Sequence, residues 1–185
     1  MELLNRINMK SNFSLYIIIF LNILIYILLG IKSSSLYKID NYILIENGAL
    51  LYDSLNNYDF LKLILNLFLH ADIFHLLTNM LLLLIFGILT LKSITNSYFL
   101  FLFFFNGFIA SISSILFSNN ILTIGASGSI LGIISFYIII NSKNVYKTIL
   151  VILLISLFQF FNINVTSSIN HTMHIVGFIS GIILG

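Results

Sequence analysis

Charge is what this chain has least of. Eight Lys and Arg and six Asp and Glu make up 8% of its 185 residues, where a soluble domain carries about 25%. So few charges cannot coat a water-facing surface, which excludes a soluble globular enzyme. Disorder is excluded as well, since it needs low hydrophobicity and high charge, and 59% of the residues are hydrophobic with a mean hydropathy of +1.11. Cysteine is absent, so there is no disulfide, thiolate metal site or cysteine nucleophile. Proline and tryptophan are absent too, and alanine is rare beside abundant Ile, Leu and Asn. That bias matches AT-rich coding, so part of the sequence reflects genomic drift rather than chemistry. A net charge of +2 is too small to indicate nucleic-acid binding. The class that remains is an integral membrane protein, with residues 1–185 forming a single compact domain.

Six hydrophobic segments are present, at about 13–31, 73–91, 97–117, 127–140, 146–161 and 171–185. They predict an all-α membrane protein with six transmembrane helices and an extended first outer loop, Lys32 to Lys62. A span needs about 20 residues, so the last three are short, either partly re-entrant or shielded by neighbours. With the N-terminus inside, the inner flanks hold Arg6, Lys10, Lys92, Lys143 and Lys147, against Lys32, Lys38 and Lys62 outside. That asymmetry favours a cytoplasmic N-terminus. No signal-peptide cleavage pattern or transit peptide is evident, which points to a bacterial-type plasma membrane. In the first loop, Leu36, Tyr37, Tyr42, Ile43, Leu44 and Ile45 suit an interfacial, partly helical segment lying on lipid.

The polar residues are unevenly placed. The acids are Glu2, Asp40, Glu46, Asp53, Asp59 and Asp72, and none follows residue 72. The histidines form two pairs, His70/His75 and His171/His174. Polar groups inside a membrane are costly and are functional candidates by default. His75 and Asn79 are four apart and share a helix face at the start of the second span; interfacial anchoring would account for them equally. Gly125-Ala-Ser127-Gly128 opens the fourth span. A serine between glycines at a helix N-terminus has a bare backbone and a favourable dipole for an oxyanion, although an N-cap serine and a small-residue packing face at Gly128 and Gly132 read the same way. In the sixth span, His174, Gly177, Gly181 and Gly185 form one stripe. Its natural partner is the Gly128/Gly132 face, which brings His174 beside Ser127. All three polar clusters begin spans that run from outside to inside, so they share one depth.

A serine beside a histidine is a nucleophile with a general base. No carboxylate lies beyond Asp72 to complete a triad, so a dyad is the available serine mechanism. His75, Asn79 and the Ser127 amide are candidate oxyanion donors. There is no HExxH zinc motif and no pair of acids in later spans for an aspartyl protease.

Taken in order, His70-x4-His75-x3-Asn79, Gly125-x-Ser127-Gly128 and His174-x2-Gly177-x3-Gly181 resemble the motifs of the rhomboid family of intramembrane serine proteases. The resemblance runs from about residue 48 to the C-terminus. It implies a six-helix rhomboid-like bundle, Ser127 as nucleophile, His174 as base, and an oxyanion hole from His75, Asn79 and the Ser127 amide. It implies packing support from Gly125, Gly128, Gly132, Gly177 and Gly181, and a structural role for His70. The expected partners are the lipid bilayer and single-span transmembrane substrates cut near the outer leaflet, entering past Phe158 to Asn170. No cofactor, metal or nucleic acid is expected. Three positions depart from the family pattern: Leu61-Lys62 stands where Trp-Arg is frequent, Leu131 where an aromatic stacks on the histidine, and Leu91 where a glutamate is usual. The last span is also short. Two rival readings are a catalytically inactive rhomboid-like protein that binds transmembrane clients, and a metal or haem site built from the four histidines.

Overall fold

The computed structural model describes residues 12–51, 59–117, 122–141 and 170–185. The described chain is helical: α1 (Phe13–Lys32), α2 (Asn41–Glu46), α3 (Lys62–Leu65), α4 (Ile73–Leu91), α5 (Asn96–Phe117), α6 (Ser127–Ile140) and α7 (His171–Leu184), with two short 3₁₀ turns flanking α3. Helices α1, α4 and α5 are long and apolar enough to cross a membrane, and α6 and α7 are shorter apolar helices. The fifth expected span, 146–161, lies outside the described residues, as do Arg6, Lys10, Lys143 and Lys147.

Helix α1 shows the inverted polarity that lipid imposes. Leu15, Ile18, Asn22, Tyr26 and Leu29 are buried along one stripe at three- and four-residue spacing. Phe13, Phe20, Leu28 and Ile31 face outward. The Ser14 hydroxyl donates to Asn96 Oδ1 at 2.6 Å, so α1 and α5 begin at the same end of the bundle. Gly87 lets α4 close onto α1, since a Cβ there would meet Leu15 Cδ1 at 2.6 Å.

The first loop is stitched to the far end. Tyr26 donates its hydroxyl proton to the Leu36 carbonyl at 2.9 Å. The Ile39 amide donates to the Ala71 carbonyl at 2.8 Å and the Ile73 amide to Tyr37 at 3.2 Å. Leu36, Tyr37, Tyr42 and Ile45 are exposed, as a lipid-facing loop requires, but Ile43 and Leu44 are buried. The expectation that all six lie on lipid is corrected for these two: α2 is a single short helix whose opposite sides face different surroundings, and they occupy its inner side.

Helix α6 is the centre of the bundle. Every residue from Ser127 to Tyr137 is buried, and α4, α5 and α7 pack around it. Its 14 residues span about 21 Å, short of the roughly 30 Å hydrocarbon core. The shortfall is tolerated because Ser127 to Tyr137 are covered by protein rather than lipid, and only its last turn, with Ile139 and Ile140, is exposed. Among the described helices, α7 packs on α6 more extensively than any other pair. The contact is backbone on backbone: a Cβ at Gly177 would strike the Gly128 carbonyl oxygen, and one at Gly181 the Gly132 carbonyl oxygen. Ser180 bridges α7 to α5 by donating to Asn106 Oδ1 at 2.6 Å.

Candidate active site

Ser127 is the first residue of α6. It is not the helix N-cap; that position is Ala126, and it offers no side-chain capping bond. The Ser127 hydroxyl turns instead to α7, where Oγ lies 2.8 Å from His174 Nε2. That is hydrogen-bond reach for a nucleophile and its base. The close approach follows from the glycine contacts: with Gly177 seated on the Gly128 backbone, His174 one turn earlier on α7 comes level with Ser127, the residue just before Gly128.

The segment leading into Ser127 is fixed from several sides. Gly125 has φ +103°, a left-handed conformation that glycine adopts without steric cost. Its amide donates to the Asn66 carbonyl at 2.8 Å. Asn66 is itself buried and donates through Nδ2 to Ser111 Oγ at 3.0 Å. The bare Cα of Gly125 makes room for α4: a Cβ there would meet His75 Nε2 at 2.9 Å and Asn79 Nδ2 at 3.5 Å. His75 and Asn79 therefore stand against the backbone two residues before the serine.

Asn79 is wholly buried, yet neither its Nδ2 nor its Oδ1 has a hydrogen-bond partner among the described residues. An unsatisfied buried polar group costs about 1–3 kcal/mol. An unpartnered buried amide against the segment that leads into Ser127 is a candidate donor to an incoming acceptor. The Ser127 N–H belongs to the first helical turn, where amides have no intrahelical acceptor.

His70 lies just before α4, with its ring edge-on to His75 at 4.9 Å between centroids. Both of its ring nitrogens are buried. Burial, reinforced by the neighbouring His75, holds His70 well below the usual histidine range. Asp72 caps α4 by accepting from the His75 amide at 2.8 Å. His171 is exposed at the start of α7. No three His, Asp or Glu side chains gather as a metal-ligand set among the described residues. Of the positions that depart from the family pattern, Leu131 and Leu91 are buried in the main core and Leu61 is exposed.

Sequence reasoning passed over Asn66, Ser111, Ser114, Thr123 and Asn170, which hold the serine segment and the start of α7. A signal existed for Asn170 alone: Asn immediately before a helical apolar pattern is an N-cap candidate. The hydroxyl residues sit in apolar runs with no periodicity to mark them.

No curated protein matches the chain. A family model described as Rhomboid domain matches residues 57–185. That match takes in α4 to α7 and so every candidate residue above, and the helical membrane bundle agrees with it: the chain belongs to the rhomboid family of intramembrane proteases.

Proposed function

We propose that this chain is an active serine endopeptidase that cuts peptide bonds in or near transmembrane segments, with Ser127 as nucleophile and His174 as general base. One observation carries the reading: a buried serine hydroxyl 2.8 Å from a histidine ring nitrogen, at the N-terminus of a helix with no side-chain cap. An inactive client-binding relative would have no use for that pairing, and both members are present.

The Ser127–His174 pairing supports acyl transfer through a dyad. Ser127 Oγ attacks the scissile carbonyl carbon as its proton passes to His174 Nε2. The carbonyl π pair moves onto oxygen, and that oxyanion is held by the Ser127 N–H, Asn79 Nδ2 and the His75 ring. Collapse re-forms the carbonyl, breaks the C–N bond and returns the proton from His174 to the leaving amine. Water then repeats the sequence on the acyl-enzyme and frees Ser127. No carboxylate is required to orient His174, because the seating of α7 on α6 restricts where its ring can lie.

The rest of the reading concerns setting. Residues 1–185 act as one domain in a plasma membrane, with the N-terminus cytoplasmic and the site opening outward. Substrates are single-span proteins that reach the site from the bilayer. The test is cleavage of a single-span reporter in reconstituted vesicles. The parent chain cleaves it, whereas Ser127→Ala and His174→Ala do not. A Ser127→Ala chain that cleaves at the parent rate defeats the proposal, and a pure parent chain that binds the reporter without cutting it establishes the client-binding alternative.

A further inference from the structure

The residues four positions before each member of the Ser–His pair are joined to one another. Thr123 precedes Ser127 by four and Asn170 precedes His174 by four. Asn170 Nδ2 donates to Thr123 Oγ1 at 2.8 Å and to Ser114 Oγ on α5 at 2.5 Å. The Ser114 and Thr123 hydroxyls are in turn hydrogen-bonded. Asn170 Oδ1 accepts from the Met173 amide at 3.1 Å and so caps α7. Thr123 exchanges backbone bonds with Leu50 at 3.0 and 2.8 Å, which anchors it to the first loop. All three side chains are buried.

An ordinary cap uses only the side-chain oxygen. Here the same amide also ties its nitrogen to α5 and to the segment entering α6. Such a tie fixes the phase of α7 about its own axis. A rotation of about 10° moves a side-chain tip by about 1 Å at the helix surface, and a 1 Å misplacement costs on the order of 100-fold in rate. The glycine contacts set how close α7 comes to α6, and the Asn170 ties add a restraint on its rotation from outside that contact.

We infer that Asn170, Thr123 and Ser114 form a positioning clamp that sets the approach of His174 to Ser127. The inference rests on the protease reading. None of the three touches the reacting groups, so they act through the dyad. Thr123→Val keeps the shape and removes the hydroxyl, Thr123→Ser keeps the hydroxyl, and Ser114→Ala removes the second acceptor. Ser113→Ala is the control, because the Ser113 hydroxyl is also buried but donates to the Ala110 carbonyl of its own helix.

The experiment measures kcat and KM on a single-span reporter in vesicles for each variant, beside Ser127→Ala. Thr123→Val and Ser114→Ala are expected to lower kcat about tenfold with KM within about twofold of the parent. Thr123→Ser and Ser113→Ala should retain parent kcat within about the same twofold margin. If Thr123→Val does not fold, Ser114→Ala against Ser113→Ala decides. Parent kcat in both clamp variants, or an equal loss in Ser113→Ala, overturns the clamp. Cleavage that survives Ser127→Ala overturns the protease reading instead, so the two failures are distinct.

Discussion

Adding one methyl group at Gly177 tests whether the spacing of α6 and α7 governs the site. In Gly177→Ala the new Cβ would overlap the Gly128 carbonyl oxygen and lie 2.9 Å from both Gly128 C and Cα, inside the 3.0 Å that real Cβ atoms keep. Every one of these atoms is backbone, so no rotamer change relieves the contact and α7 must move away by roughly 0.5–1 Å. His174 is one turn from the clash and moves with the helix. Its 2.8 Å contact with Ser127 then lengthens to the limit of hydrogen-bond reach, and a displacement of about 1 Å costs on the order of 100-fold in kcat. Overpacking itself costs about 1–3 kcal/mol of stability, so a methyl added away from the dyad is needed as a control. Gly87→Ala supplies it: the methyl meets Leu15 Cδ1 at 2.6 Å, at the α1–α4 contact and against a side chain that can turn. Both variants should show a lowered thermal midpoint in detergent. Only Gly177→Ala should lose about 100-fold in kcat in vesicle cleavage and in phosphonate labelling of Ser127. If Gly177→Ala cleaves near the parent rate, or Gly87→Ala loses as much, helix spacing does not control the dyad.

Three further outcomes follow from other parts of the structure. Asn79→Leu should cut kcat by about 100- to 1,000-fold while leaving the thermal midpoint unchanged or raised, because it removes a buried amide without partners; a large fall in midpoint would show that Asn79 is a structural residue. His70 is held neutral by burial, so its folded pKa lies below its unfolded one. The unfolded state then binds more protons, and stability should fall as pH drops below about 6.5, by up to about 1.4 kcal/mol per unit. In His70→Phe that acid sensitivity should be reduced, as read from midpoints between pH 7 and 5. Since the chain has no cysteine, Asp40→Cys at the exposed start of α2 gives a single reporter of orientation, which an impermeant maleimide should label from outside intact cells; labelling only in inverted vesicles would reverse the assigned orientation.

Helix positions were legible because apolar length and glycine punctuation mark them strongly. Ile73–Leu91 and Ser127–Ile140 have the bounds their composition suggests. Ser127, His174 and the two glycine pairs were legible because spacing on a helix dictates which residues share a face. The burial of Ile43 and Leu44 was not, since six residues of α2 give too little periodicity to separate a lipid face from a protein face. The links from Asn66 to Ser111 and from Asn170 to Ser114 and Thr123 were not legible either. They connect residues 45 to 56 positions apart, and a lone hydroxyl in an apolar run can as easily bond its own helix, as Ser113 and Ser135 do.

The outward face of α1 has an evolutionary consequence. Phe20, Leu24, Ile27 and Leu28 are exposed there among the described residues, and a liquid hydrocarbon accepts one large apolar side chain as readily as another. Interchange of Ile, Leu and Phe on this surface costs little, so an AT-rich coding bias can rewrite it without selection objecting. At the α6–α7 contact a single added carbon collides with backbone. Neutral substitutions should therefore collect on α1 and on other lipid-facing positions, and relatives of this chain should differ most where they touch the membrane.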